Sequence, residues 1–170
     1  VLDAAAAIEG HPDNAAAAVH GGFTIVAGGT VVRLEVDPSI RPVVLVPEGE
    51  RTGTEAARAA LPRTVPFADA AFGAARAALV PLALTEDPEL LATALEDRIH
   101  QDARLALVPG ARALFDRLRD AGVPVCVAGS GPSLLAFELP GRPVPDPGEG
   151  VRVLRPAPHA SGASVEVLRG

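Results

Sequence analysis

The residues best suited to chemistry lie in the segment GHPDNAAAAVHGG, residues 10–22, where a histidine, a carboxylate and an amide fall within four positions. His11, Asp13 and Asn14 are expected at the start of a helix, where unpaired backbone N–H groups and the helix dipole favour an anion. Such a set can bind the amino, carboxylate or hydroxyl groups of a small polar substrate. Asp and Asn are also the commonest capping residues, so the cluster is explained as well by a cap, with Asp13 or Asn14 beginning the helix.

Two arginines are further candidates for binding an anion. Arg58 lies in the segment TEAAR, and Arg104 ends the segment DRIHQDAR. Charges in such segments usually form the solvated face of a helix, whereas two well-separated arginines can instead grip a carboxylate in bidentate fashion. Both interpretations remain open at this point.

A glycine-rich turn, Gly129-Ser130-Gly131, separates two apolar segments. Its backbone can present N–H groups to a phosphate, or it can simply connect two strands. It is not a P-loop, because no Gly-Lys-Ser/Thr follows it. The single cysteine, Cys126, lies inside an apolar segment and is interpreted as a core residue, and no Cys/His spacing indicates zinc.

The composition restricts the class of protein. The chain has 170 residues, 48% of them hydrophobic and 21% charged, as in a soluble globular protein. A net charge of −6 argues against a nucleic-acid partner, and no apolar run is expected to span a membrane because charges, Pro or Gly interrupt each one. One cysteine excludes an internal disulfide and favours a cytoplasmic location. The absence of methionine indicates a processed chain or a fragment.

The elements that must position these residues follow from periodicity and breakers. The first 40 residues predict a helix over 2–9, a second helix ending at Gly21 or Gly22, and a hairpin over 23–36 that turns at Gly28-Gly29. The rest predicts an α+β domain with antiparallel strands and helices on one face. Its helices are expected over 52–62 (with a Thr cap), 67–84 (with one apolar face), 87–101 (capped by Asp87) and 110–122 (with Ala111, Leu114, Phe115 and Leu118 facing inward). Its strands are expected over 42–48 (central and buried), 123–129, 133–139, 151–156 and 163–168.

Four segments, in order, resemble motifs of the homoserine kinase family, a branch of the GHMP small-molecule kinases. EGHPDNAAAAVHGG is similar to the central motif of that family, and TEAARAALP to its substrate-side helix. DRIHQDARLALVPG is similar to the next signature, and VAGSGPSLLAF to the third GHMP motif. Together they span residues 9–137.

The resemblance implies transfer of the ATP γ-phosphate to the side-chain hydroxyl of L-homoserine, with Mg²⁺, in threonine biosynthesis. It implies that His11 and Asp13 contact homoserine and that Asn14, the catalytic candidate, lies near the transferring phosphoryl group. It also implies that Arg58 and Arg104 hold the substrate carboxylate. Phosphoryl transfer depends mainly on alignment and charge neutralisation, which suits a set without a strong general base.

Further implications concern the nucleotide side. Gly129, Ser130 and Gly131 would support the phosphate-binding loop, and Asp3 stands where the family has a glutamate that helps to hold Mg²⁺. A homodimer is also implied. The family's Pro-x-x-x-Gly-Leu-Gly-Ser-Ser-Ala loop for ATP is absent from the 170 residues.

The chain is therefore interpreted as the C-terminal portion of such a kinase, inactive alone. Residues 1–40 are interpreted as the tail of the N-terminal, ATP-binding domain, and residues 41–170 as the C-terminal domain, a ferredoxin-like α/β sandwich. Two alternatives are a non-catalytic module that binds a small amino acid and a GHMP kinase for another small alcohol.

Overall fold

The computed structural model describes residues 1–164 and divides into two compact units. The first contains Val1–Pro38 together with the described part of the segment that begins at Pro158, and the second contains Ser39–Ala157. The division after Pro38 lies two residues before the predicted boundary. The last segment, predicted as part of the second domain, groups with the first unit.

The first unit contains two helices and a hairpin. Helix α1 spans Leu2–Glu9 and packs against α2, Pro12–His20. Strands β1, Phe23–Ala27, and β2, Thr30–Leu34, form an antiparallel pair that turns at the two predicted glycines. The returning segment contacts this unit through two backbone hydrogen bonds, from the Gly22 N–H to the His159 carbonyl at 2.8 Å and from the Ala163 N–H to the Val19 carbonyl at 3.1 Å.

The start of α2 differs from the prediction. The N-cap is His11 in extended conformation, with no side-chain capping bond, and the helix begins at Pro12. Proline has a fixed φ suited to the first helical turn and no N–H that needs a partner there. Asp13 and Asn14 consequently lie within the first turn rather than capping it, so the predicted cap was wrong, whereas the predicted stop at Gly21 is confirmed.

The second unit is built on a four-stranded sheet. Its strands are β3 (Arg41–Pro47), β4 (Val125–Val127), β5 (Leu134–Glu138) and β6 (Val151–Leu154). All pairs are antiparallel and the spatial order is β4-β5-β3-β6. Counted within this unit the order is 2-3-1-4, that of a ferredoxin-like sandwich. The predicted α+β class and the central position of β3 are confirmed. Of the strand predicted over 163–168, residues 163 and 164 are not in a strand and the others lie outside the described residues.

The helices of this unit all lie between β3 and β4. They are α3 (Thr54–Ala59), α4 (Phe67–Thr85), a 3₁₀ turn (Pro88–Leu90), α5 (Leu91–Ala94), α6 (Gln101–Leu105) and α7 (Pro109–Asp120). The predicted Thr cap of α3 was wrong, because the N-cap is Gly53, which has no side chain that could accept a capping hydrogen bond.

Helix α7 covers the core face of the sheet. It buries the four residues that its amphipathic pattern predicts: Ala111, Leu114, Phe115 and Leu118. These pack with alternate residues of the sheet in one cluster, which includes Val43 and Leu45 of β3. Each fully buried Leu or Phe contributes about 1.5–3 kcal/mol, so this cluster stabilises the unit.

The helix predicted over 87–101 is interrupted. Asp87 caps its start, as predicted, with its side chain accepting the Glu89 N–H at 3.2 Å. The helix nevertheless ends at Ala94 and resumes as α6 at Gln101. The Asp97 carboxylate accepts the N–H groups of Ile99, His100 and Gln101 at 2.9, 2.6 and 2.8 Å. Such side-chain bonds compete with helical ones, which explains the break.

Helix α4 is apolar yet exposed. Its 19 residues are long and apolar enough to cross a membrane by length and composition, so the expectation that no segment meets this criterion was wrong. That criterion alone does not establish a membrane span, because helices of soluble proteins also meet it. Only Ala83 is buried and Phe67 is 88% exposed, so the apolar face predicted for residues 67–84 is not a core face here.

Candidate functional site

Arg104 contacts the glycine-rich turn. Its Nη1 donates to the Gly129 carbonyl at 2.7 Å and lies 3.5 Å from the His100 Nδ1. Its Nε is buried, and within residues 1–164 it has no hydrogen-bond partner. A buried guanidinium N–H without a partner is costly unless an anion meets it, so this nitrogen is suited to a carboxylate or phosphate oxygen.

The glycine-rich turn is the connection between β4 and β5. The Ala128 N–H donates to the Ser133 carbonyl at 2.8 Å, and the Gly131 N–H donates to the Ala128 carbonyl at 3.0 Å. Gly129 and Gly131 have φ values of +57° and +79°, which side-chain-bearing residues rarely adopt. The segment thus connects two strands, as one of the sequence interpretations had it, in a conformation that needs both glycines.

A cavity of about 530 Å³ lies beside the residues that follow this turn. Pro132 and Ser133 line one side of it, and Arg51 and Thr52, just before α3, line another. The two residues that follow the glycine-rich turn and the approach to α3 therefore border the same open volume in the second unit.

Gln101 was not predicted as a site residue. It is 4% exposed, its Oε1 accepts the Val127 N–H at 2.7 Å, and its Nε2 donates to the Leu95 carbonyl at 3.0 Å. It therefore connects the segment after α5 to the end of β4, immediately before the glycine-rich turn. The available signal was that it is the only Gln in the chain.

Asp97 and His100 form a partly buried polar pair before α6. Burial disfavours the ionised form of Asp97, but the hydrogen bonds from the N–H groups of Gln101 and His100, together with the charge of His100, outweigh it and lower its pKa. Burial lowers the pKa of His100, and the charge of Arg104 adds to this against the opposing charge of Asp97. At neutral pH the imidazole is therefore uncharged beside Arg104.

The candidates of the first unit lie on α1 and α2. His11 is half-buried, whereas Asp13 and Asn14 are exposed in the first turn of α2. This turn has the N–H groups and positive dipole end that the sequence predicts for an anion. Asp3 is exposed in the first turn of α1. The structure thus places His11, Asp13 and Asn14 at the N-terminal end of α2.

The remaining predicted site residues lie in the second unit. Arg58 lies in the last turn of α3 and is exposed. Among the second-unit candidates, Arg104 and Gly129 are brought into direct contact. Ser130 and Gly131 follow in the same turn. The roles assigned to all of these residues remain predictions.

Metal and thiol chemistry have little support in the described part of the chain. Residues 1–164 contain no group of three or more His, Cys, Asp or Glu side chains placed to hold a metal ion. The role of Asp3 toward Mg²⁺ remains a prediction. Cys126 lies in β4, where burial raises the pKa of its thiol to about 11, consistent with a structural residue rather than a nucleophile.

Comparison with known proteins defines the class. Residues 77–146 match the family model described as "GHMP kinases C terminal", so this part of the second unit is similar to the C-terminal domain of GHMP kinases. Within that class, the chain is similar to homoserine kinases. It is 50% identical over 141 residues to the homoserine kinase of Streptomyces avermitilis, which covers 81% of this chain and 46% of that protein. It is 44% identical over 151 residues to that of Rhodococcus opacus, covering 80% and 48%.

A solved structure shows the same fold. The crystal structure of homoserine kinase from Cytophaga hutchinsonii superposes with a TM-score of 0.78 at 22% identity, covering 95% of this chain and 56% of that one. The chain spans about half the length of the curated relatives it matches.

Proposed function

We propose that this chain is the C-terminal portion of a homoserine kinase, which transfers the γ-phosphate of ATP to the side-chain hydroxyl of L-homoserine in threonine biosynthesis. The observation that carries the proposal is the 50% identity to a homoserine kinase over 81% of the chain. Identity at this level over four ordered motifs favours a shared substrate over a different small alcohol. L-Homoserine and ATP are then the partners, and the cytoplasm is the expected location.

The amino-acid side of the reaction has physical support. Arg104 has a half-buried guanidinium with one buried, unpartnered N–H, which suits the carboxylate of an amino acid. Arg58 is proposed as the second carboxylate ligand. His11 and Asp13 are proposed to contact homoserine.

The nucleotide side has less support within this chain. Asn14, in the first turn of α2, is proposed to lie near the transferring phosphoryl group. Gly129, Ser130 and Gly131 are proposed to support the phosphate-binding loop. When bound, Mg²⁺ neutralises phosphate charge, and Asp3 is the residue proposed to face it. The glycine-rich ATP loop of the family is absent from the 170 residues, so we propose that the chain alone is inactive. A homodimer is proposed for the whole enzyme.

The test measures ADP and phosphohomoserine release by the full-length protein that contains this chain. We expect turnover with L-homoserine, and far less with mevalonate, shikimate or L-threonine as acceptors. The 170-residue chain alone is expected to show none. Product formation by the chain alone would contradict the proposal that it is an inactive portion. Tight homoserine binding by the chain, combined with no turnover by the full-length protein, would favour an amino-acid-binding module.

A substitution tests the assignment of Asn14. Asn14→Ala is expected to lower kcat at least about 100-fold without a change in the unfolding midpoint, because the residue is exposed and makes no capping bond. Glu9→Ala, an exposed residue at the end of α1, is the matched control and should retain full turnover. Unchanged kcat in Asn14→Ala would remove Asn14 from the proposed machinery.

A further inference from the structure

We propose that Gln101 is a positioning residue of the kinase site: it holds the connection between β4 and β5 and thereby determines where the Arg104 guanidinium lies. This inference rests on the proposed function for its effect on substrate, and on the structure of the second unit for its geometry. Gln101 is 4% exposed and both polar atoms of its amide are engaged, so the proposed role acts through the connection that it holds.

The first observation is that Gln101 is the one fully buried polar side chain of residues 1–164. Both ends of its amide are satisfied, the oxygen by the Val127 N–H and the nitrogen by the Leu95 carbonyl. A buried amide is retained at a cost that an apolar side chain would avoid. Its two bonds therefore restrict the chain segments that it joins to one arrangement.

The second observation concerns the end of β4, where the Gln101 oxygen accepts the Val127 N–H. Val127 is the last residue of β4, and the glycine-rich turn begins two residues after it, at Gly129. If the Gln101 oxygen is lost, the Val127 N–H has to find another acceptor or remain unpaired. Either outcome moves the start of the turn, because a buried unpaired N–H is costly.

The third observation is that Arg104 and Gln101 both contact the chain between β4 and β5 or its start. Arg104 lies three residues after Gln101 on α6, almost one helical turn away, and its Nη1 donates to the Gly129 carbonyl. Gly129 in turn lies two residues after Val127. Gln101 and Arg104 therefore hold the same turn at two points from one short helix, and a shift of Val127 displaces the acceptor that orients Arg104.

Two variants separate positioning from simple stabilisation. Gln101→Met keeps the length of the side chain but removes both hydrogen bonds. Gln101→Glu keeps an oxygen that can accept the Val127 N–H and, because burial favours the neutral acid, an O–H that can donate to the Leu95 carbonyl. Leu105→Ala is the matched control, because it removes apolar packing from the same helix at a residue that is 1% exposed and makes no side-chain bond to the turn.

The first measurement is amide hydrogen exchange in the 170-residue chain and does not depend on activity. We expect Gln101→Met to accelerate exchange of the Val127 amide and of the amides of residues 128–131 and 133 about tenfold or more, and Gln101→Glu to stay within about threefold of wild type. Leu105→Ala should accelerate exchange across the whole sheet. Unchanged exchange in residues 127–133 of Gln101→Met, or acceleration spread over the sheet as in the control, would overturn the proposal.

The second measurement is steady-state kinetics of the full-length kinase. Gln101→Met should raise the KM for L-homoserine about tenfold with a smaller change in kcat, and Gln101→Glu should largely restore it. An equal KM in the wild type and Gln101→Met contradicts a positioning role, as does an equal loss in both variants. If the wild-type enzyme does not phosphorylate homoserine, the proposed function fails, while the exchange measurement still decides whether Gln101 holds the turn.

Discussion

The Arg104 guanidinium donates to the Gly129 carbonyl at 2.7 Å across 25 residues of sequence, while its Nε stays buried without a partner among the described residues. One side of the guanidinium is thus committed to the glycine-rich turn and the other is suited to an anion. The proposed carboxylate-binding role requires such an arrangement, in which one N–H binds the protein and another is left for the ligand.

Replacement of Arg104 tests that division. Arg104→Lys keeps the charge but loses the planar fork, so it cannot hold the Gly129 carbonyl and a carboxylate together. We expect the KM for L-homoserine of the full-length kinase to rise about tenfold or more, with the KM for ATP within about twofold of wild type. Arg112→Lys on α7 is the control, because Arg112 pairs with Asp102 and Asp116 and does not contact the turn. An equal rise in both variants would contradict the assignment.

Glu50 supplies a long-range cap to α7. Its carboxylate accepts the N–H groups of Gly110 at 2.7 Å and Ala111 at 2.9 Å, sixty residues away. Glu50→Gln is expected to lower the free energy of unfolding by about 1 kcal/mol, because the charge interacts favourably with the helix N-terminus. Urea denaturation of the 170-residue chain measures this. Glu48→Gln, an exposed neighbour, should leave the midpoint unchanged, and an equal shift in the two variants would show that only net charge matters.

The core of the second unit depends on α7. Leu118 is fully buried in it, so Leu118→Ala removes apolar contacts and leaves a cavity. We expect a loss of about 2–5 kcal/mol in the free energy of unfolding. Asp120→Ala, exposed in the last turn of the same helix, should change it by less than about 0.5 kcal/mol. A loss below about 1 kcal/mol in the free energy of unfolding for Leu118→Ala would contradict the assignment of Leu118 to the core.

Acidification should destabilise the second unit through His100. Its folded pKa lies below the ordinary value of about 6.5, so as the pH falls through that value the unfolded chain binds a proton that the folded chain resists. The His100 contribution therefore lowers stability increasingly as the pH falls through about 6.5, and it is absent well above that value. Asp97, whose pKa is also lowered, stabilises the fold until the pH falls below its ordinary range near 4.

The measurement for His100 is the urea midpoint of the 170-residue chain at pH 5, 6, 7 and 8. His100→Asn cannot titrate, so its midpoint should vary less across this window than that of the wild type. His20→Asn, on α2 in the first unit, is the control. An identical pH dependence in wild type and His100→Asn would assign the effect to other groups.

Much of the fold was predictable because local patterns dominate there. The apolar spacing of α7 and the paired glycines between β1 and β2 each determine one structure, and both predictions are confirmed. The prediction of one continuous helix over 87–101 was wrong. The Asp97 carboxylate accepts hydrogen bonds from three backbone N–H groups, and these bonds replace helical ones in a way that apolar periodicity does not reveal. The cap of α2 failed because Pro12 can itself begin a helix.

The residues of the candidate site were predictable from the sequence motifs, but most of their contacts with one another were not. Arg104 and the glycine-rich turn were each selected from the sequence, but their contact joins residues 25 apart. Gln101 was passed over, because a lone Gln carries no chemistry until its burial and its partners are known.

By itself, the sequence determined the α+β class, most of the strands and helices, and the kinase motifs, since these depend on residues close together in the chain. Tertiary structure decided which polar groups are buried, that α4 leaves its apolar face exposed and which side chains reach the glycine-rich turn. Burial and hydrogen bonding between distant segments depend on how the sheet and helices pack, and no spacing along the chain encodes that packing directly.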